Sequence, residues 1–178
     1  TFSKYYYKYK LMIINSTRFK DLKVIKCKKL SDLRGEFIKV LNKKNNLNKF
    51  KCHECYISIS KRGAVRGLHG QRGKFSQTKI IFCIRGKVLD IALDLRKESK
   101  TYGKVFKKVI SSKNLTGILV PKGFVHGIIS LENNSTLVNF SSSAYKPVYE
   151  YGVNIKSLKL KLPKMSLLIS DKDKKLPE

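Results

Sequence analysis

Side chains able to do chemistry are scarce in this chain. There are three histidines (His53, His69, His126), four cysteines (Cys27, Cys52, Cys55, Cys83) and 12 acids against 39 Lys+Arg. Cys52-His53-Glu54-Cys55 puts two thiols and an imidazole within four residues. That spacing is half of a structural zinc site, but such a site needs a second close pair and the chain has none. A redox CxxC opens a helix, whereas the flanking Phe50, Tyr56, Ile57 and Ile59 alternate like a strand. The expectation is reduced cysteines and no metal. With so few acids, each has a better claim to a specific task, and Asp32, Glu54, Asp90, Asp94, Glu150 and Asp173 are the ones to follow.

The elements that must position these groups read as strands. Short runs rich in Val, Ile, Leu and Phe cover 22–26, 55–60, 78–84, 88–95, 105–110, 117–120, 127–130 and 136–141. Gly, Asn, Ser or Pro lie between most of them, the pattern of an all-β sandwich or barrel. Nine of the 11 glycines fall between Gly63 and Gly127, as many tight turns require. Helical periodicity is weak, with one short helix expected at 37–47. No repeat or low-complexity linker interrupts the chain.

Composition narrows the function classes. A length of 178 residues suits one domain. No apolar run approaches the roughly 18 residues of a membrane span. The apolar patch at 11–14 is too short for a signal-peptide core, so a cytoplasmic location is expected. The formal net charge of +27 invites a nucleic-acid reading. However, the basic residues are 32 Lys and only 7 Arg, scattered without a block. Nucleic-acid surfaces favour Arg, whose planar fork reads phosphates and bases bidentately. Most of this charge reads as solvated surface, and no specific nucleic-acid partner is expected.

Two spacings then stand out. Gly63-x5-His69 and Pro121-Lys122-Gly123-Phe124-Val125-His126 resemble the two motifs of the cupin double-stranded β-helix, a jelly-roll barrel. Metal-binding cupins have a second His where this chain has Gln71, and their Glu ligand is missing near Phe75 and Ser76. A closer resemblance emerges from the motifs in order. These are Asp32-Leu33-Arg34-Gly35-Glu36-Phe37, the run from Ser58 through Arg66-Gly67-Leu68-His69-Gly70-Gln71, and Gln77-Thr78-Lys79. Gly86 through Asp90 and Asp94 to Ser99, Thr101-Tyr102-Gly103, Val120 through His126-Gly127, and Ile169-Ser170-Asp171-Lys172-Asp173 complete the series. Together they resemble the dTDP-4-dehydrorhamnose 3,5-epimerase family of nucleotide-sugar epimerases. The match starts near Met12, so residues 1–11 are expected to be a dispensable extension and 12–178 one cupin-type domain.

The resemblance implies a nucleoside diphosphate 4-keto sugar as substrate, a homodimer, and neither metal nor nicotinamide cofactor. The 4-ketone acidifies the C3 and C5 protons. A base removes one, an enolate forms at O4, and a proton returns on the other face. By the same resemblance His69 is the base and Asp173 the carboxylate that orients it. Lys79 and His126 line the pocket near the ketone, and Asp90 supports them. Arg66 holds phosphate or sugar, Arg34 and Phe37 form the nucleotide-binding turn, contributed across a dimer, and Tyr145 packs on the base. Glu54 stands where the family has Gln, and Gln71 follows the base motif. The chain departs from the family at two points. The family acid is a Tyr, and its position holds Asn139, which has no titratable proton. The residue after His69 is Gly70 instead of Phe or Tyr, which is expected to open room beside the sugar, as for a 4-keto heptose. The alternatives are single-centre epimerisation at C3 or C5, a cupin 3,4-ketoisomerase, a degenerate binding paralogue and, from another class, a basic nucleic-acid-binding protein.

Overall fold

The computed structural model describes residues 11–41 and 50–178. It is a jelly roll of two facing sheets. The first sheet contains β1 (Met12–Ser16), β2 (Lys23–Cys27), β5 (Glu54–Ser60), β7 (Lys79–Arg85), β10 (Thr116–Val120) and β12 (Ser135–Ser141). Its strand order is β1-β2-β10-β7-β12-β5. The second contains β6 (Ala64–Gln71), β8 (Lys87–Asp94), β9 (Val105–Ser111), β11 (Phe124–Ser130) and β13 (Glu150–Gly152), ordered β13-β6-β11-β8-β9, with β14 (Leu168–Ile169) parallel to β6. β3 (Lys29–Asp32) and β4 (Gly35–Ile38) form a separate hairpin, and α1 (Asp171–Lys174) is a single helical turn.

Alternation along the strands builds three apolar layers. Ile81, Cys83, Val88, Ala92, Ile118, Phe124, Ile128 and Leu137 meet between the sheets. The residues of opposite parity face outward. Ile80 and Phe82 pack with Val40, Leu41 and Phe50 over the first sheet. Val65, Ile91, Leu93, Val125 and Ile129 pack beneath Ile155, Leu158, Leu160, Met165 and Leu167, so the irregular segment after β13 covers the second sheet. The central part of each outer face is therefore buried, which explains why several strands read as continuous apolar runs.

All eight expected strands form, within about three residues at their ends. β6, which carries His69, has no counterpart among them, because Arg66, Gly67, His69 and Gly70 break its apolar period. The helix expected at 37–47 does not begin there, since Phe37 and Ile38 end β4; residues 42–49 lie outside the described residues. Of the expected extension at 1–11, only the last residue is described. Leu11 is buried, and its carbonyl accepts a hydrogen bond from the Lys28 N–H. Residues 1–10 lie outside the described residues.

Candidate active site

The inward parity also carries the polar groups. On β11 it runs Phe124, His126, Ile128; on β8, Val88, Asp90, Ala92; on β7, Lys79, Ile81, Cys83; on β12, Leu137, Asn139, Ser141. The apolar members plug one end of the barrel. Of the polar members, Lys79, His126 and Asn139 line a cavity of about 350 Å³ with Tyr56, Ser58, Arg66, His69, Lys172 and Asp173. One wall, β6 and β11, carries the histidines. The facing wall, β5, β7 and β12, carries Tyr56, Lys79 and Asn139. A larger groove of about 600 Å³ around Ile14, Lys23, Phe50 and Pro121 contains no histidine.

His69 and His126 are cross-strand partners, and each holds a carboxylate. His69 Nε2 lies 2.9 Å from Asp173 Oδ1, and His126 Nε2 lies 2.8 Å from Asp90 Oδ2. Asp173 reaches His69 from α1, whose N-cap Ser170 accepts from the Asp173 N–H. Its second oxygen accepts from the Gly67 N–H at 3.1 Å. The carboxylate is thereby fixed at both oxygens. Asp90 is fully buried, and its Oδ1 has no hydrogen-bond partner among the described residues. His69 Nδ1 is 3.9 Å from Glu150 Oε1, beyond hydrogen-bond range. That ring nitrogen therefore remains available to take or give a proton.

Lys79 enters from the facing wall. No hydrogen bond or ion pair holds its ammonium among the described residues. Burial pushes its pKa below the ordinary lysine value, and the charge of Glu150 opposes that only in part. A desolvated cation of this kind stabilises a developing oxyanion far better than one in water does. Arg66 is clamped at the rim by Ser60 Oγ and the Ile59 carbonyl, so its guanidinium is oriented before any anion arrives.

The other expected site residues lie elsewhere. The Glu54 carboxylate accepts from the Tyr145 backbone N–H, and the Tyr145 hydroxyl meets Lys172 Nζ at 3.4 Å. Both stand beside the cavity and not in its lining. Lys172 also pairs with Glu150. Gln71 spends its side chain on Phe75 O, Ala144 O and the Lys146 N–H. It ties two loops together and is not in the cavity lining. Gly70 does not open room beside His69, because a Cβ there would point to the opposite side of β6. It would press on Phe124 O at 2.7 Å and on the Tyr151 ring at 3.1 Å. Tyr151, its cross-strand partner, fills that space. Arg34 and Phe37 sit on the β3–β4 hairpin, away from this chain's cavity, where Asp32 accepts from the Arg34 guanidinium through both carboxylate oxygens. Cys52 and Cys55 are free and exposed.

Four residues of the cluster had no assigned role in the sequence reading. Tyr56 and Ser58 follow from strand parity once β5 is paired with β12. Glu150 was visible only as a scarce acid. Lys172 had no signal, being one lysine among 32.

Comparison with known proteins places the chain in a family. The family model described as dTDP-4-dehydrorhamnose 3,5-epimerase matches residues 16–178. The dTDP-4-dehydrorhamnose 3,5-epimerase of Shigella flexneri is 32% identical over 168 residues, 91% of this chain and 93% of that protein. The crystal structure of the Bacillus anthracis enzyme, with TDP and PPi bound, superposes with a TM-score of 0.87 at 34% identity, covering 93% of this chain and 98% of that one. A 3'-monoepimerase from Streptomyces bikiniensis, in complex with dTDP-quinovose, superposes at 0.86 with 26% identity, covering 92% and 86%. This chain belongs to the dTDP-4-dehydrorhamnose 3,5-epimerase family.

Proposed function

We propose that the protein epimerises C3, C5 or both in a nucleoside diphosphate 4-keto-6-deoxy sugar, with dTDP as the nucleotide. The observation that carries this is the pairing of an open His69–Asp173 dyad with a desolvated, unpaired Lys79 on the facing wall. His69 takes the proton alpha to the ketone while Asp173 fixes its tautomer. The electron pair moves to O4, where Lys79 meets the enolate, and His126, held by Asp90, lies beside it. Arg66 receives the diphosphate or sugar at the rim.

A homodimer belongs to the same proposal. β5 is the edge of its sheet and exposes Ile57 and Ile59 on its outward face. An unprotected apolar edge is unusual in a lone chain. The hairpin bearing Arg34 and Phe37 stands clear of its own cavity, as an arm reaching the partner's nucleotide would. Light scattering behind size exclusion tests this, with twice the 20.4 kDa chain mass expected. Gly70 faces away from the cavity and gives no reason to prefer a heptose over a 6-deoxyhexose.

The reaction is tested by incubation with a dTDP-4-keto-6-deoxy sugar in D2O. Deuterium gain at C3 or C5 with inverted product supports the proposal. If dTDP-, GDP- and CDP-linked substrates all bind without exchange, the protein is a binding paralogue and the enzymatic reading fails.

A further inference from the structure

Inversion needs a proton from the side opposite the base, and Asn139 cannot supply one. We infer that Tyr56 is the general acid of this site, returning the proton to the carbon that His69 deprotonates. The inference rests on the epimerase reading above.

Three observations carry it. First, His69 stands on β6 of one sheet and Tyr56 on β5 of the other, and both line the same cavity. A sugar ring between the two walls presents one face to each. Second, Tyr56 is the direct cross-strand partner of Asn139. Opposed residues in an antiparallel pair lie on the same face with Cβ atoms about 5 Å apart, so a phenol at 56 can serve the space that a side chain at 139 addresses. Asn139 is buried, and its amide has no protein partner among the described residues, leaving it free to orient the phenol or the sugar. Third, the competing donors are otherwise engaged. Tyr145 is not in the cavity lining, and its hydroxyl meets Lys172 Nζ at 3.4 Å; Lys79 is needed charged at the enolate oxygen. Tyr56 is the only phenol lining the cavity among the described residues. Burial first, and the charge of Glu54 second, raise its pKa, so it is protonated at neutral pH.

The step balances within the chain. The C–H bond breaks, its electron pair forms the enolate, and His69 keeps the proton. The enolate pair then forms a new C–H bond on the other face with the Tyr56 proton, leaving a phenolate and an imidazolium. Solvent restores both groups before the next turnover.

The test is Tyr56→Phe, which keeps the ring and removes an oxygen that has no protein hydrogen-bond partner among the described residues. Inverted product and deuterium wash-in at C3 and C5 are measured in parallel by NMR in D2O. General acid catalysis is worth about 10²- to 10⁴-fold. Inversion is therefore expected to fall at least ~100-fold, while wash-in with retention, driven by His69 alone, persists within a few-fold of wild type. Persistent wash-in also shows that the variant is folded. Inversion within about threefold of wild type, or inversion and wash-in falling together, would overturn the assignment. Absence of wash-in in the wild-type protein is a different outcome and defeats the epimerase reading itself.

Discussion

The dyads on β6 and β11 are chemically alike and differ in access. The His69 side chain is 24% exposed and that of Asp173 6%; for His126 and Asp90 the values are 9% and 0%. His69 keeps one ring nitrogen outside hydrogen-bond range of any carboxylate, while Asp90 keeps one buried oxygen without a partner. A His–Asp pair open to a cavity can exchange protons with a substrate carbon. The more deeply buried pair, of which only His126 reaches the cavity, is suited to supplying a fixed dipole or charge. Under the function proposed above, the difference favours His69 as the base and His126 as the supporting group.

Substitution can break or sharpen that contrast. The largest effect belongs to His69→Asn, which should lower turnover to inverted product by about 10³-fold, within the range for a positioned base. His126→Asn should cost nearer ~10-fold, below the roughly 10²- to 10³-fold lost with a direct oxyanion donor; if it cost more than His69→Asn, the roles would be reversed. Asp173→Asn should cost about 10²-fold with little change in KM, because the amide cannot hold the imidazole in the required tautomer.

Lys79 sharpens the contrast from the facing wall through pH. The enolate needs the charged ammonium, which exists below its pKa, and burial lowers that pKa. The alkaline limb of kcat/KM should therefore begin below the ordinary lysine value of about 10.4. Lys79→Arg should move that limb to higher pH at reduced turnover. The smallest effect concerns β6 itself. Gly70→Ala would drive a Cβ against Phe124 O and should lower stability by about 1–3 kcal/mol. Thermal melts would show this, with the relative rates on hexose and heptose substrates unchanged.

Much of this was legible in the chain. Strands whose outward faces are covered read as apolar runs, so β7, β8 and β11 were plain. The His69 strand was not, since its glycines and polar residues erase the period that its backbone still follows. The motifs brought His69, Lys79, His126, Asn139 and Asp173 to one cavity. They misled at Gly70, where residue identity says nothing about which face of a strand is turned inward. Gln71 follows the base motif and spends its side chain on loop carbonyls and an amide. Tyr56 and Glu150 depend on cross-strand register, which is set by pairings between segments far apart in sequence. Lys172 was hidden by the basic composition.

The central claim is that His69, fixed by Asp173, performs the deprotonation. Its most direct test is the initial rate of deuterium wash-in at C3 and C5 of a dTDP-4-keto-6-deoxy sugar, with His69→Asn and His126→Asn measured beside the wild type. The account predicts wash-in for the wild type, a modestly reduced rate for His126→Asn and a rate about 10³-fold lower for His69→Asn. Wash-in in His69→Asn within about tenfold of the wild type would contradict it.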